Sequence, residues 1–199
     1  MHIFDFLRRM FPAAIPPAQP APAPAKSKPA GTPSSPTASA PVRYYPQTNR
    51  KTPNVSAGRV IKPTHIVLHH TSGAYAGSVS WCMDPVSKVS YHCIIARSGK
   101  RTVLALPSQR TWHAGVSSWQ GRKDANSFAI GLAWEGDTYQ IPLGEDAILS
   151  AVEYLLPILD EYHIPLSNII RHADIAPGRK DDCSPAAHAA LLAALNRAA

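Results

Sequence analysis

Two groups of side chains in this sequence could share a metal ion. The first is His69-His70, at the end of the apolar run HIVLHH (His65 to His70), and the second is HADIAPGRKDDC, from His172 to Cys183. A zinc hydrolase takes three protein ligands from His, Cys, Asp or Glu and keeps one position open for water. Histidines from a strand end and from a distant loop could supply two, and the loop's acidic or thiol groups the third. Zinc held there would polarise a carbonyl as a Lewis acid and bring the pKa of its water towards neutrality. Successive strand residues point to opposite faces, so spacing alone does not choose between His69 and His70. If the second segment is locally extended, Lys180 and Asp182 share a side, while Asp181 and Cys183 point away.

These groups need a scaffold, and the chain from about residue 61 onward has the patterns for one. HIVLHH reads as a short buried strand. Val89 to Ala96 and Thr102 to Leu106 read as two more, joined by the turn Ser98-Gly99-Lys100, and Ser127 to Trp134 as a fourth. Ser78 to Met83 is predicted to make one or two helical turns, stopped by Pro85. Gly144 to Tyr162 is the clearest helix, with Ile148, Ala151, Val152, Leu155 and Leu159 on one face and Glu145 and Asp146 in the first turn, where the helix dipole favours acids. Ser184-Pro185 opens a last helix. Strands mixed with two longer helices make an α/β or α+β domain.

The N-terminal part is different in kind. Of 20 prolines, 12 fall between Pro12 and Pro53, among small and polar residues that cannot build a core. Residues 12–58 are therefore expected to be an extended, basic linker ahead of a domain at 59–199. Residues 1–60 carry eight Lys and Arg against Asp5 alone, which accounts for the whole net charge of +7. A neutral domain on a basic arm argues against nucleic acid. It suits a docking partner, a membrane surface or an anionic wall polymer. Residues 1–11, MHIFDFLRRMF, form a short amphipathic helix pattern, too short to span a bilayer and without the order of a signal peptide. Synthesis in the cytoplasm is the expectation. The three cysteines, Cys82, Cys93 and Cys183, suggest no disulfide framework.

Four blocks, IVLHHTSG (Ile66 to Gly73), VSYHCIIARSGK (Val89 to Lys100), TWHAGVSSWQGRKDANSFAIGLAWEG (Thr111 to Gly136) and RHADIAPGRKDDCSP (Arg171 to Pro185), together resemble the type 2 N-acetylmuramoyl-L-alanine amidase family. That family includes phage lysozyme-amidases, cytosolic anhydro-muropeptide amidases and peptidoglycan recognition proteins. The resemblance covers essentially all of residues 61–199. It implies a central mixed β-sheet flanked by helices, a groove for the glycopeptide, a zinc ion, and hydrolysis of the amide between N-acetylmuramic acid and L-alanine.

Matched motif to motif, the resemblance implies His69, His172 and Asp182 as zinc ligands, with Cys183 as the alternative third. Lys180 matches the family's cation facing the developing oxyanion. Tyr91 matches the tyrosine that phage-type relatives place beside the zinc water. His70, Trp112, His113, Trp119, Arg122 and Asn126 are the expected groove contacts. One departure stands out: anhydro-muropeptide relatives carry a glutamate base on the fourth strand, where this chain has Ala133. Glu135, two residues on, shares that face but lies about 7 Å further along. Tyr91 is the expected replacement.

The leading expectation is a monomeric, endolysin-like enzyme that reaches the cell wall by release or delivery. A recycling amidase for soluble anhydro-muropeptides and a non-catalytic peptidoglycan-binding module are the alternatives.

Overall fold

Short runs of β-branched and apolar residues set the strands. The computed structural model describes residues 44–198. Along the chain come β1 (Gln47–Asn49), β2 (Val55–Val60), β3 (His65–His70), α1 (Tyr75–Met83), β4 (Cys93–Ile95), β5 (Arg101–Val103), β6 (Gln109–Thr111), β7 (Ser118–Trp119) and β8 (Arg122–Lys123). They are followed by β9 (Ala129–Trp134), α2 (Glu145–Tyr162), β10 (Ile169–Arg171), the single turn α3 (His172–Ile175) and α4 (Pro185–Ala198). The main sheet has the order β1-β5-β4-β9-β3-β10. It is mixed: β4 and β5 run antiparallel, while β4, β9, β3 and β10 run parallel to one another.

Every residue of β3 and of β9 is buried, as expected of central parallel strands covered on both faces. Register aligns Val67 with Gly131 and His69 with Ala133, and Ile94 of β4 with Ala133 from the other side. In-register neighbours share a face. One face of β9 is therefore a row of small residues, Ala129, Gly131 and Ala133.

Over this face, Val79 and Cys82 of α1 pack on Ile94, Leu104 and Ala133. Beside them Ala114, Phe128, Ile170 and Ile175 pack on Val67 and Ala129. The opposite face is covered by α2, where Trp134 donates its indole N–H to the carbonyl of Ala147, and α2 in turn packs on α4. This is the mixed sheet between helices that the family resemblance implied.

Several boundaries differ from expectation. Only Cys93–Ile95 of the segment Val89 to Ala96 is strand. The preceding backbone pairs elsewhere: Ser90 N–H donates to Trp112 O, and Val89 O accepts from the Asn54 side chain. The strand β10 and the turn α3 went unanticipated because IIR is too short to show a period.

The folded unit also starts earlier than residue 59. It begins at Tyr44, and β1 pairs with β5. Buried Thr52 and Asn54 bond the backbone around Cys82 to Asp84. Tyr45 is buried and gives its hydroxyl proton to Asp146 at 3.0 Å. The expected helix at residues 1–11 and the linker as far as residue 43 lie outside the described residues.

Candidate metal centre

The end of β3 and the start of α3 meet because β10 lies beside β3, with Arg171 in register with Leu68. His69 follows Leu68 and His172 follows Arg171, so two distant histidines become neighbours at one end of the sheet. Their rings are 4.5 Å apart, and Nδ1 to Nδ1 is 3.0 Å. Asp182 completes the cluster. Its Oδ2 is 3.0 Å from His69 Nδ1, and its Oδ1 is 3.1 Å from His172 Nδ1. All three residues are buried, and among the described residues this is the one such group of potential ligands.

The donor set fits a cation. Ligands bound tetrahedrally at zinc distances lie about 3.3 Å apart, close to the spacings of 3.0 to 3.1 Å here. His172 Nε2 is 3.0 Å from the carbonyl of Ala114, and a carbonyl can only accept, so in the neutral ring the lone pair lies on Nδ1, facing the cluster. Burial alone would raise the pKa of Asp182, but its hydrogen bonds to His172 and His69 and their charges outweigh this and hold it well below the ordinary carboxylate range. Burial lowers the pKa of His69 to about 4; the hydrogen bond to Asp182 opposes this, while His172 and Lys180 add to it. At neutral pH the cluster is therefore an unprotonated imidazole beside a carboxylate.

His70 points to the other side of β3. It is buried, and its Nδ1 accepts from the hydroxyl of Thr138 at 3.1 Å. Cys183 is also fully buried and is not part of the cluster. Burial pushes its thiol up to about 12.

Tyr91 is half-buried, with its ring 5.1 Å from that of His69. Burial and, secondarily, the charge of Asp182 raise its pKa, so the hydroxyl keeps its proton. Lys180 is exposed at the rim, near enough for its charge to act on His69. Ala133 puts a methyl group beside His69. Glu135 is not a substitute: its two carboxylate oxygens accept the backbone N–H groups of Tyr75 (3.0 Å) and Arg97 (2.9 Å). It ties the start of α1 and the end of β4 to β9.

The expected groove contacts lie at different depths. His113 is buried behind His69. Asn126 is buried too, with its Oδ1 accepting the backbone N–H groups of His113 and Ala114. Trp119 packs against the apolar cluster around Val67. Arg122 lies over the Phe128 ring at 4.0 Å and reaches Thr64, which precedes His69 by five residues, about 16 Å down the strand. Periodicity could not foresee this, since a β7–β8 hairpin of two-residue strands has none. Trp112 is half-buried, with its indole N–H on the Ser56 hydroxyl at 3.0 Å.

Two residues outside the expected set hold the centre's surroundings. Arg179 donates to the carbonyls of Ala114 (2.7 Å) and Val116 (2.6 Å). Thr138 bridges His70 and the backbone N–H of Ser184. Arg179 lay within a recognisable motif, whereas Thr138 carried no sequence signal.

Residues 59–185 match the family described as N-acetylmuramoyl-L-alanine amidase. The 1,6-anhydro-N-acetylmuramyl-L-alanine amidase AmpD of Haemophilus influenzae is 42% identical over 96 residues, spanning 48% of this chain and 52% of that protein. The chain thus spans about half the length of that relative. AmpD of Escherichia coli is 42% identical over 143 residues, covering 62% of this chain and 77% of that one. Among solved structures, the E. coli amidase AmiD, in complex with its substrate anhydro-N-acetylmuramic acid-L-Ala-D-gamma-Glu-L-Lys, superposes with a TM-score of 0.61 at 26% identity, covering 71% of this chain and 60% of that one.

Proposed function

Because this chain belongs to the N-acetylmuramoyl-L-alanine amidase family, we propose that it is a zinc hydrolase cleaving the amide between N-acetylmuramic acid and L-alanine in peptidoglycan. The observation that carries this reading is the convergence of His69, His172 and Asp182 in one buried cluster. When bound, zinc supplies a Lewis acid for the scissile carbonyl and lowers the pKa of its water. His69 and His172 would hold it through Nδ1, and Asp182 would add a carboxylate oxygen.

The remaining work falls to two side chains. Lys180 presents an ammonium group at the rim, where it would meet the negative charge that develops on the carbonyl oxygen. Tyr91 holds a protonated hydroxyl beside His69, suited to orienting the attacking water and giving a proton to the departing amine. With Ala133 in place of a carboxylate and Glu135 bonded to two backbone amides, Tyr91 is the general acid–base group this arrangement favours.

Cross-linked wall is the first reading of the physiological substrate, with the basic N-terminal residues as the means of reaching an anionic surface. The 42% identity to two AmpD proteins favours a second, soluble anhydro-muropeptides. The zinc-loaded full chain should release free peptide stems and leave unsubstituted lactyl groups, by mass spectrometry of digested sacculi and of purified anhydro-muropeptides in parallel. The faster of the two identifies the substrate. Products of glycosidic cleavage, or full turnover in excess chelator, would overturn the proposal.

A further inference from the structure

His69 turns one nitrogen to the ligand cluster, and the other is engaged as well. Its Nε2 lies 3.0 Å from Nδ1 of His113, and the two rings meet edge to face at 5.2 Å. Behind it, Nε2 of His113 lies 3.2 Å from the carbonyl of Ala129.

A carbonyl oxygen accepts and never donates, so the proton of His113 is on Nε2. In the neutral ring the lone pair is then on Nδ1, which faces His69 Nε2 at 3.0 Å. That lone pair can be satisfied only by a proton on His69 Nε2. The Nδ1 of His69 is then left bare, facing His172 and Asp182. The carbonyl of Ala129 thus dictates, through one intervening ring, which nitrogen of His69 is available to a metal.

The surrounding residues build a seat for that ring. Asn126 holds the backbone amide of His113 at 3.0 Å. Gly131, on the small-residue row of β9, leaves the space: a Cβ there would come within 2.5 Å of His113 Cγ and 2.8 Å of its Nδ1. His92, 6.0 Å from His113 between ring centroids, anchors that stretch of β9 by accepting the N–H of Gly131 at 3.0 Å.

We propose that His113 is a positioning residue that fixes the tautomer and ring orientation of His69 as a zinc ligand. The proposal rests on the metal reading above. Groups that accept the far N–H of a ligating histidine typically contribute about 10- to 100-fold in metal affinity. In most such sites a carboxylate or a carbonyl fills that place; here a second imidazole does, passing the constraint to a backbone carbonyl.

The test is zinc affinity of the full chain, measured by competition with a chromogenic chelator. His113→Phe keeps the ring's bulk without its acceptor and should weaken zinc binding about 10- to 100-fold. His113→Asn, whose side-chain oxygen can stand where Nδ1 stood, should recover most of that loss; recovery is not expected if the ring only fills space. Unchanged affinity in His113→Phe overturns this inference while leaving the amidase reading intact. Absence of zinc binding by the wild-type chain overturns both. A measurement on the unmutated protein does not depend on how the variants fold. Nitrogen-15 shifts of the imidazoles should show His69 and His113 both protonated on Nε2 in the zinc-loaded chain, and protonation of His113 on Nδ1 would refute the assignment.

Discussion

A methyl group occupies the place beside His69 where a carboxylate would have a direct view of the metal. Ala133 is paired with His69 in register and packs into the apolar cluster under α1, and its methyl group cannot carry a proton. That concentrates proton handling on Tyr91. Tyr91→Phe should retain zinc and the fold while turnover falls by about 10²-fold or more, the usual scale of a lost acid–base group; a variant as fast as wild type with zinc bound would rule Tyr91 out. At this scale much of the centre was legible in the sequence. His69, His172, Tyr91, Lys180 and Asp182 all stood in recognisable motifs. Strand spacing left His69 or His70 open; the structure brings His69 to His172 and Asp182 and turns His70 to Thr138. Asp182 lies in the cluster with the two histidines and Cys183 does not, although both are buried. The burial of His113 and Asn126 was not legible for a physical reason: a motif fixes where a histidine or asparagine falls in the chain, but not whether the side chain looks outward or back into the core.

Between β9 and α2, the short turn through residues 137–139 reaches across to the segment that carries Asp182. Thr138 accepts the backbone N–H of Ser184 at 2.9 Å and donates to His70 at 3.1 Å, while Tyr139 gives its hydroxyl proton to the carbonyl of Asp181 at 3.0 Å. The two contacts bracket Asp182. Thr138→Val preserves shape but leaves the buried Ser184 N–H unpaired, a cost of about 1–3 kcal/mol, and should also lower zinc affinity by loosening the Asp182 loop. Thr138→Ser should behave as wild type in both denaturant titration and metal competition; equal losses in the two variants would show that the methyl group, not the hydroxyl, matters. Regular elements were readable from periodicity, as β3 and α2 demonstrate, each within a residue of its expected span. Turns of this type were not, because their role is set by a partner more than forty residues away.

Across the whole molecule, the described part of the chain is organised around a sheet whose outer strand is supplied from before the recognisable family region. β1 lies parallel to β5 from Gln47–Arg101 to Asn49–Val103, and Arg101, itself buried, reaches Gln47 at 2.7 Å and Glu153 at 2.9 Å. Composition hid this, because proline and basic residues run on past residue 44 into the folded unit, as far as Pro53 and Arg59. Removing residues 1–43 should therefore leave thermal stability and zinc binding of the remainder within error of the full chain. Removing residues 1–58, up to the start of the family match, should lower the melting temperature by several degrees and promote self-association; a monomeric, equally stable product would show that β1 is dispensable.

The arrangement of that border has a practical meaning for anyone trimming the gene. A chain begun at residue 59 opens inside β2 (Val55–Val60) and strips β5 of its neighbour. The bare row of amide and carbonyl groups it leaves is the template on which foreign strands add, so clumping of such a fragment would report on a missing hem, and not on any defect in the metal pocket.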